Sequence, residues 1–335
     1  DGYVALEGIM DGLAHESLVE CVPNLSEGHD QATLDAVAET ITAHAGAWLL
    51  DYGADPDHGR SVFTLAGYPG RVMSVMESVV KVAVERIDMR VQEGRHPRLG
   101  AVDVIPFVPL GETTMDQCVE GARTFAARLA ERFDLPVFLY AEAALRPDRR
   151  VLADVRRPGF EGLATSLATP EGRPDYGPAR PHPTAGAAVV GARPFLIAWN
   201  LQLSTTDVAV ARRIAGRIRE RDGGLAAVQA LGIDLASQGC AQLSMNLLDA
   251  ECTPMWRVWE EAERLAAQED VSILDSELIG LAPAKALVDV ADHIGSASYH
   301  TAEQRLHEAA GYLRIRRFDP SMVLEVRLAQ ARQSD

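Results

Sequence analysis

From Leu18 onward, short runs of apolar and β-branched residues alternate with longer stretches whose apolar positions recur every three or four residues. The first pattern predicts strands and the second predicts helices with one buried stripe, because side chains alternate across a strand and return to one helix face at that spacing. In order, the pattern predicts a strand over 18–23, a helix over 30–44, strands over 47–51 and 61–67, a helix over 69–88 and a strand over 102–109. This β-α-β-β-α-β order is that of the split βαβ, or ferredoxin-like, sandwich, an antiparallel sheet with its helices on one face. A helix over 114–133 and a strand over 137–140 extend it. The helix starts are marked: Asp30 precedes the Leu34, Val37 and Ile41 face, and Thr114 stands before a first turn that contains Asp116.

Residues 146–183 hold seven prolines and no sustained periodicity, which predicts a long connection. The alternation then resumes with strands over 185–190 and 195–203, a helix over 207–221, strands over 228–235 and 240–248, a helix over 254–268 and a strand over 271–277. A second sandwich of the same kind follows from that order, although no residue-level repeat links the halves. A helix over 300–313 and a strand over 322–326 are expected to close the chain. The predicted fold class is therefore α+β, with two ferredoxin-like α/β sandwich subdomains. The boundaries are a lead-in without structure or an expression-vector remnant at 1–17, a first subdomain with its connecting loop at 18–183, a second at 184–290 and an extension at 291–335.

Composition narrows the function classes. A hydrophobic content of 47% over 335 residues suits a soluble protein with a substantial core. The 32 basic and 48 acidic residues leave a net charge of −16, a field that repels nucleic acid and anionic membrane surfaces. An anionic ligand must then be met by a local cluster of arginines. No apolar run approaches the ~20 residues that span a bilayer, and the first residues lack the basic-then-apolar order of a signal peptide. Cys21, Cys118, Cys240 and Cys252 are widely spaced, which suits reduced thiols rather than a disulfide framework or a metal knuckle. A cytoplasmic protein with no nucleic-acid or membrane partner is expected.

The densest candidate chemistry lies at Arg95-His96-Pro97-Arg98-Leu99-Gly100, a histidine between two arginines on a Pro/Gly turn that feeds an apolar strand. Imidazole takes and returns protons near neutrality, and fixed positive charge beside it suits an anionic substrate, while a solvated or structural histidine fits the same residues. In the turn after Asp51, Arg60 stands where its fork could hold a carboxylate or join a surface ion pair, with His58 beside it. Asn24, before a helix, is either a ligand for polar groups or part of a plain cap. Asn246 and Asp249 at a strand end could bind a heterocycle, orient a histidine or simply form a turn. The stretch Asp175-Tyr176-Gly177-Pro178 through His182, Pro183 and Gly186 could wrap a flat anionic ligand or serve as a linker. Phosphate-loop, nucleophile-elbow, HExxH, paired CxxC and dinucleotide-binding motifs are absent.

Taken together, several of these pieces in fixed order resemble one family. They are Glu20-Cys21-Val22-Pro23-Asn24-Leu25-Ser26-Glu27-Gly28, the turn from Asp51 to Arg60, His96-Pro97-Arg98-Leu99-Gly100-Ala101-Val102-Asp103, Leu139-Tyr140-Ala141-Glu142-Ala143-Ala144, Asp175-Tyr176-Gly177-Pro178, Gly191-Ala192-Arg193, Asn246-Leu247-Leu248-Asp249 and Leu281-Ala282-Pro283-Ala284-Lys285-Ala286-Leu287. Over about 19–291 the chain resembles the glutamate formiminotransferases, folate-dependent enzymes that also form the N-terminal part of animal formiminotransferase-cyclodeaminase. The resemblance implies transfer of the formimino group from N-formimino-L-glutamate to nitrogen 5 of tetrahydrofolate, a step of histidine degradation. It places the catalytic base and acid on His96 and the folate site on Gly177, Pro178, His182, Pro183 and Gly186. Arg60, Arg98, Asn24, His58, Asn246 and Asp249 are then the substrate-binding candidates, tetrahydrofolate is a co-substrate, no metal is called for, and a homodimer is implied. Two other readings stand beside this one: formiminoglycine, or 5-formyltetrahydrofolate with glutamate, as the substrates, or a non-catalytic folate-binding protein. The chain departs from the animal enzymes at Arg95, where they carry an acid, and at Pro181, His182 and Ala185, where they carry aromatic or apolar residues. The added positive charge at Arg95 favours neutral His96.

Overall fold

The computed structural model describes residues 5–94, 97–235, 239–296 and 300–333. Its helices and strands run α1 (Ala5–Ala14), β1 (Ser17–Cys21), β2 (Asn24–Leu25), α2 (Gln31–Thr42), β3 (Ala47–Asp55), β4 (Arg60–Gly67), α3 (Pro69–Arg86), β5 (Val102–Gly111), α4 (Met115–Phe133), β6 (Val137–Ala141), α5 (Leu152–Val155), α6 (Gly159–Leu167) and β7 (Ala188–Ala192). They continue with β8 (Ile197–Leu203), α7 (Val208–Ile218), β9 (Val228–Leu235), β10 (Cys240–Leu247), α8 (Met255–Gln268), β11 (Ile273–Ile279), α9 (Ala284–His293), α10 (Ala302–Tyr312) and α11 (Leu324–Gln333). The chain divides into two compact units, one built on Ala14–Arg193 and the other on Pro194–Gln330.

In the first unit β1 and β2 are two halves of one strand line, broken at Val22–Pro23, between β4 and β5. With β3 on the outer side of β4, the order β3-β4-β1-β5 is antiparallel throughout and is that of the ferredoxin-like sandwich. Helix α2 starts where Asp30 accepts a hydrogen bond from the Ala32 amide, and α4 starts with a reciprocal box between Thr114 and Gln117. One face of the sheet packs under α2, α3 and α4 through residues such as Val37, Val75, Ile105, Phe107 and Phe125. Beyond β5 the sheet continues in parallel with β7 and then β6. There it is covered on both faces: Val137, Leu139 and Val190 join the helix-side core, whereas Phe138, Tyr140 and Val189 pack with Leu163 and Leu167 of α6. Burial on both sides explains why these strands read as unbroken apolar runs.

The second unit repeats the order β8-α7-β9-β10-α8-β11, with a four-stranded antiparallel sheet arranged β11-β8-β10-β9. Trp199 of β8 and Trp259 of α8 stack at 6.0 Å in its core. The opposite sheet face is mixed: Gln202 donates to Gln242 across 3.3 Å, and Leu231, Ile233 and Ile279 are exposed on it. Both sandwiches expected from the alternation are present, so the fold class is α+β with two ferredoxin-like subdomains.

Four local expectations need correction. The strand expected over 185–190 at the head of the second half is β7, and it completes the first sheet. The lead-in contains a helix, α1. The connection over 146–183 contains α5 and α6, with Leu163 and Leu167 one turn apart supplying the buried stripe of α6. The strand expected over 322–326 is instead a 3₁₀ turn at Pro320–Met322 followed by α11, in which Leu324 and Leu328 are buried at helical spacing. Helix α9, which the pattern did not announce, buries Leu287, Val290 and Ala291.

Candidate active site

A β-bulge builds the site in the first unit. Leu25 lies opposite Val102 and Asn24 opposite Val104, so Asp103 is the extra residue of β5. A bulge re-aims the side chain it carries. Asp103 is almost wholly buried, accepts a hydrogen bond from the Leu99 amide at 2.7 Å and pairs with Arg156 at 2.5 Å. Arg60 opens β4 two residues from Val62, the direct partner of Asn24, which puts Arg60 and Asn24 on the same sheet face, away from α2 and α3. Arg60, Asn24, Ser26, Gly59, Arg98 and Asp103 line one small cleft.

The electrostatics of the cleft are cationic. Burial, with help from the Arg156 charge, lowers the Arg60 guanidinium to about 10, and the Asp103 carboxylate acts in the opposite direction. Burial in turn pushes Asp103 upward against the pull of Arg156, the Leu99 amide and Arg60. Arg98 donates to the Gln92 carbonyl at 3.0 Å and pairs with Glu161 at 3.2 Å. Among the described residues its buried Nε has no hydrogen-bond partner, and neither has the buried Oδ1 of Asn24, whose Nδ2 donates to the Val22 carbonyl. The site thus offers guanidinium donors and one amide acceptor, the set that recognises a carboxylate together with an N–H group.

Backbone pairing draws three of the quoted motifs to this place. Ser26 donates through Oγ to the Gly100 carbonyl and through its amide to the Ala101 carbonyl. The end of the loop containing His182 and Gly186 returns to the segment just before β5 and to the one after α3: Ala101 donates to the Ala185 carbonyl, Ala187 to the Leu99 carbonyl, and Met89 to the Thr184 carbonyl. A Cβ on Gly100 would lie 2.0 Å from the Ala187 carbonyl oxygen, so only glycine permits this approach. Arg95 and His96 lie outside the described residues, between Gly94 and Pro97.

The other candidates have local duties. His58 sits exposed on the β3–β4 turn with its Nδ1 2.7 Å from Asp55, because β3 continues to Asp55 and leaves only 56–59 as the turn. Asn246 and Asp249 belong to the second unit. Asn246 is half-buried in β10, and Asp249 accepts from the Glu251 and Cys252 amides in the turn before α8. In the loop, Gly177 and Gly186 have positive φ, Pro178 is half-buried and Pro183 exposed. His182 Nδ1 accepts from the Ala185 and Thr184 amides, so the neutral ring carries its proton on Nε2. Arg156 and Arg149 were not singled out by sequence: nothing in the local pattern marks an arginine that becomes buried only through tertiary pairing. Among the described residues no cluster of three or more His, Cys, Asp or Glu could hold a metal ion, and no helix is long and apolar enough to cross a membrane.

Comparison with known proteins accords with this arrangement. The model of the formiminotransferase domain, N-terminal subdomain, matches residues 18–193, and that of the formiminotransferase domain matches 198–321. A protein of Streptococcus pyogenes serotype M1 named glutamate formimidoyltransferase is 43% identical over 276 residues, covering 82% of this chain and 92% of its own. A protein of the same name from Thermoplasma acidophilum is 39% identical over 317 residues, covering 94% and 98%. The formimidoyltransferase-cyclodeaminase of Rattus norvegicus is 43% identical over 279 residues, which span 82% of this chain and 52% of that one. With both subdomain models matched in order and identity sustained across nearly the whole of two relatives, the chain belongs to the formiminotransferase family.

Proposed function

We propose that the protein is a glutamate formimidoyltransferase that moves the formimino group of N-formimino-L-glutamate to nitrogen 5 of tetrahydrofolate. One observation carries the reading: in a chain of net charge −16, Arg60 and Arg98 converge with Asn24 on a cleft beside the Pro97–Gly100 turn. Arg60 and Arg98 hold the donor's carboxylates, and the free acceptor oxygen of Asn24 takes an N–H of the formimino group. His96, which directly precedes Pro97 in the sequence, accepts the proton released as the nitrogen 5–carbon bond forms. It returns the proton to glutamate's nitrogen as the carbon–nitrogen bond of the donor breaks, so one imidazole serves both halves. Holding two substrates in register supplies much of the remaining acceleration.

The loop from Gly177 to Gly186 is the folate-binding element of this reading. Its fit rests on its closing hydrogen bonds to Leu99 and Ala101, which place its end against the strand that feeds the cleft. The chemistry is proton transfer at nitrogen and asks for no metal. A cytoplasmic homodimer acting on small molecules completes the proposal.

The test combines two assays on the purified protein: titration calorimetry with 5-formyltetrahydrofolate, and transfer measured with formiminoglutamate or formiminoglycine as donor. Folate binding with turnover of formiminoglutamate is the expected result. Turnover confined to formiminoglycine reassigns the donor, and binding without any turnover makes the protein a folate-binding module.

A further inference from the structure

Arg149 and Asp175 form a buried ion pair that is not part of the lining of the arginine cleft, and nothing in the proposed chemistry uses it. Their side chains are only 6% and 5% exposed, and Arg149 Nη1 lies 2.7 Å from Asp175 Oδ2. Charges this deep are costly unless every hydrogen-bonding group is matched. Here the matching is done by one segment of chain: Arg149 Nη2 donates to the carbonyls of Glu171 and Arg173, and its guanidinium lies 5.0 Å from the centre of the Phe138 ring. Asp175 in turn accepts from the Leu139 amide at 2.8 Å. Beside it, the amides of Asp175 and Tyr176 both donate to the Val137 carbonyl, and the Val137 amide donates back to Tyr176. Gly177 then turns away with φ of 87°, its α-carbon so close to the Leu135 carbonyl that a Cβ would lie 2.1 Å from that oxygen.

We infer that Arg149 and Asp175 are positioning residues that staple the start of the 177–186 loop to the edge strand β6 and so set the loop for folate. This rests on the reading of that loop as the folate site. Arginine is required because a lysine ammonium, a point charge, cannot reach a carboxylate and two carbonyls in one plane.

The experiment uses the full chain with Arg149→Lys and Asp175→Asn, the second nearly isosteric and the safeguard should the first fold poorly. Affinity for 5-formyltetrahydrofolate is measured by calorimetry, both KM values and kcat in the transfer assay, and amide hydrogen exchange at Asp175 and Tyr176 by mass spectrometry. The expected result is a loss of folate affinity of about tenfold or more, the scale of one well-made charged contact. The KM for formiminoglutamate and the kcat at saturating folate should stay within about twofold of wild type, with faster exchange confined to 171–178. Folded variants with wild-type folate affinity, or a uniform fall in every parameter, overturn the inference. If the wild-type protein itself binds no folate, the reading of the loop fails and takes this inference with it.

Discussion

At Arg60 two opposing effects meet. Burial beside Arg156 lowers its pKa to about 10, yet at neutral pH the guanidinium remains charged, and Asp103 supplies a compensating carboxylate. Such a group is poised to gain more from a ligand carboxylate than a solvated arginine would, because less water has to be stripped from it on binding. Arg60→Gln is therefore expected to raise the KM for formiminoglutamate about 10- to 100-fold, the equivalent of the ~1.5–3 kcal/mol carried by a hydrogen bond to a charged group. Steady-state kinetics with tetrahydrofolate saturating would show it, and an unchanged KM would remove Arg60 from the donor site. Asp103 is best understood as a positioning residue: it accepts from the Leu99 amide and so shapes the turn that follows His96.

The loop closed by His182 and Gly186 joins elements that are distant in sequence, and its closure depends on an unprotonated ring. Burial and the Arg180 charge lower the His182 pKa, while Asp134 opposes them. A folded-state pKa below the unfolded value means that the unfolded chain binds more protons in the window between the two. The contribution of His182 is accordingly present in full above about pH 6.5 and is lost as pH falls through the lowered folded value. The melting temperature of the wild type should fall more steeply between pH 7.5 and 5 than that of His182→Ala. Parallel curves would show that this ring does not hold the loop.

Much of the element order was legible because each half alternates buried stripes with strands, and the cap residues Asp30 and Thr114 mark helix starts. The register of the sheets was less visible. That β7 joins the first sheet is decided by pairing with β5 and β6, and both candidate sheets offer apolar neighbours to a short run such as 188–192. The tail was misread for a similar reason, since Met322-Val323-Leu324 is apolar enough for a strand and only burial at Leu324 and Leu328 reveals the helix. At the site, Arg60, Arg98 and Asn24 stood out because they flank turns. The bulge at Asp103 and the burial of Arg156 and Arg149 leave no local trace, being products of pairing between distant segments.

For the molecule as a whole, the acidic surface and the cationic cleft act at different ranges. A net charge of −16 is screened beyond about 10 Å at ordinary salt, so it governs partners as large as nucleic acid or a membrane. Within the cleft the nearby guanidinium groups dominate, a local charge that favours a small anion although the net charge of the chain repels it. The two sandwiches share one strand order, and the family to which the chain belongs is matched across both. Formimino transfer through His96 is tested by the initial rate of transfer from formiminoglutamate to tetrahydrofolate, measured for the wild type and for His96→Ala in the same assay. The expected rate is lower by at least about 100-fold in the variant, the low end of what a positioned acid and base supply. Folate affinity should stay within about tenfold, the ~1.4 kcal/mol scale of one lost neutral contact. Near-normal transfer by His96→Ala would contradict transfer through His96.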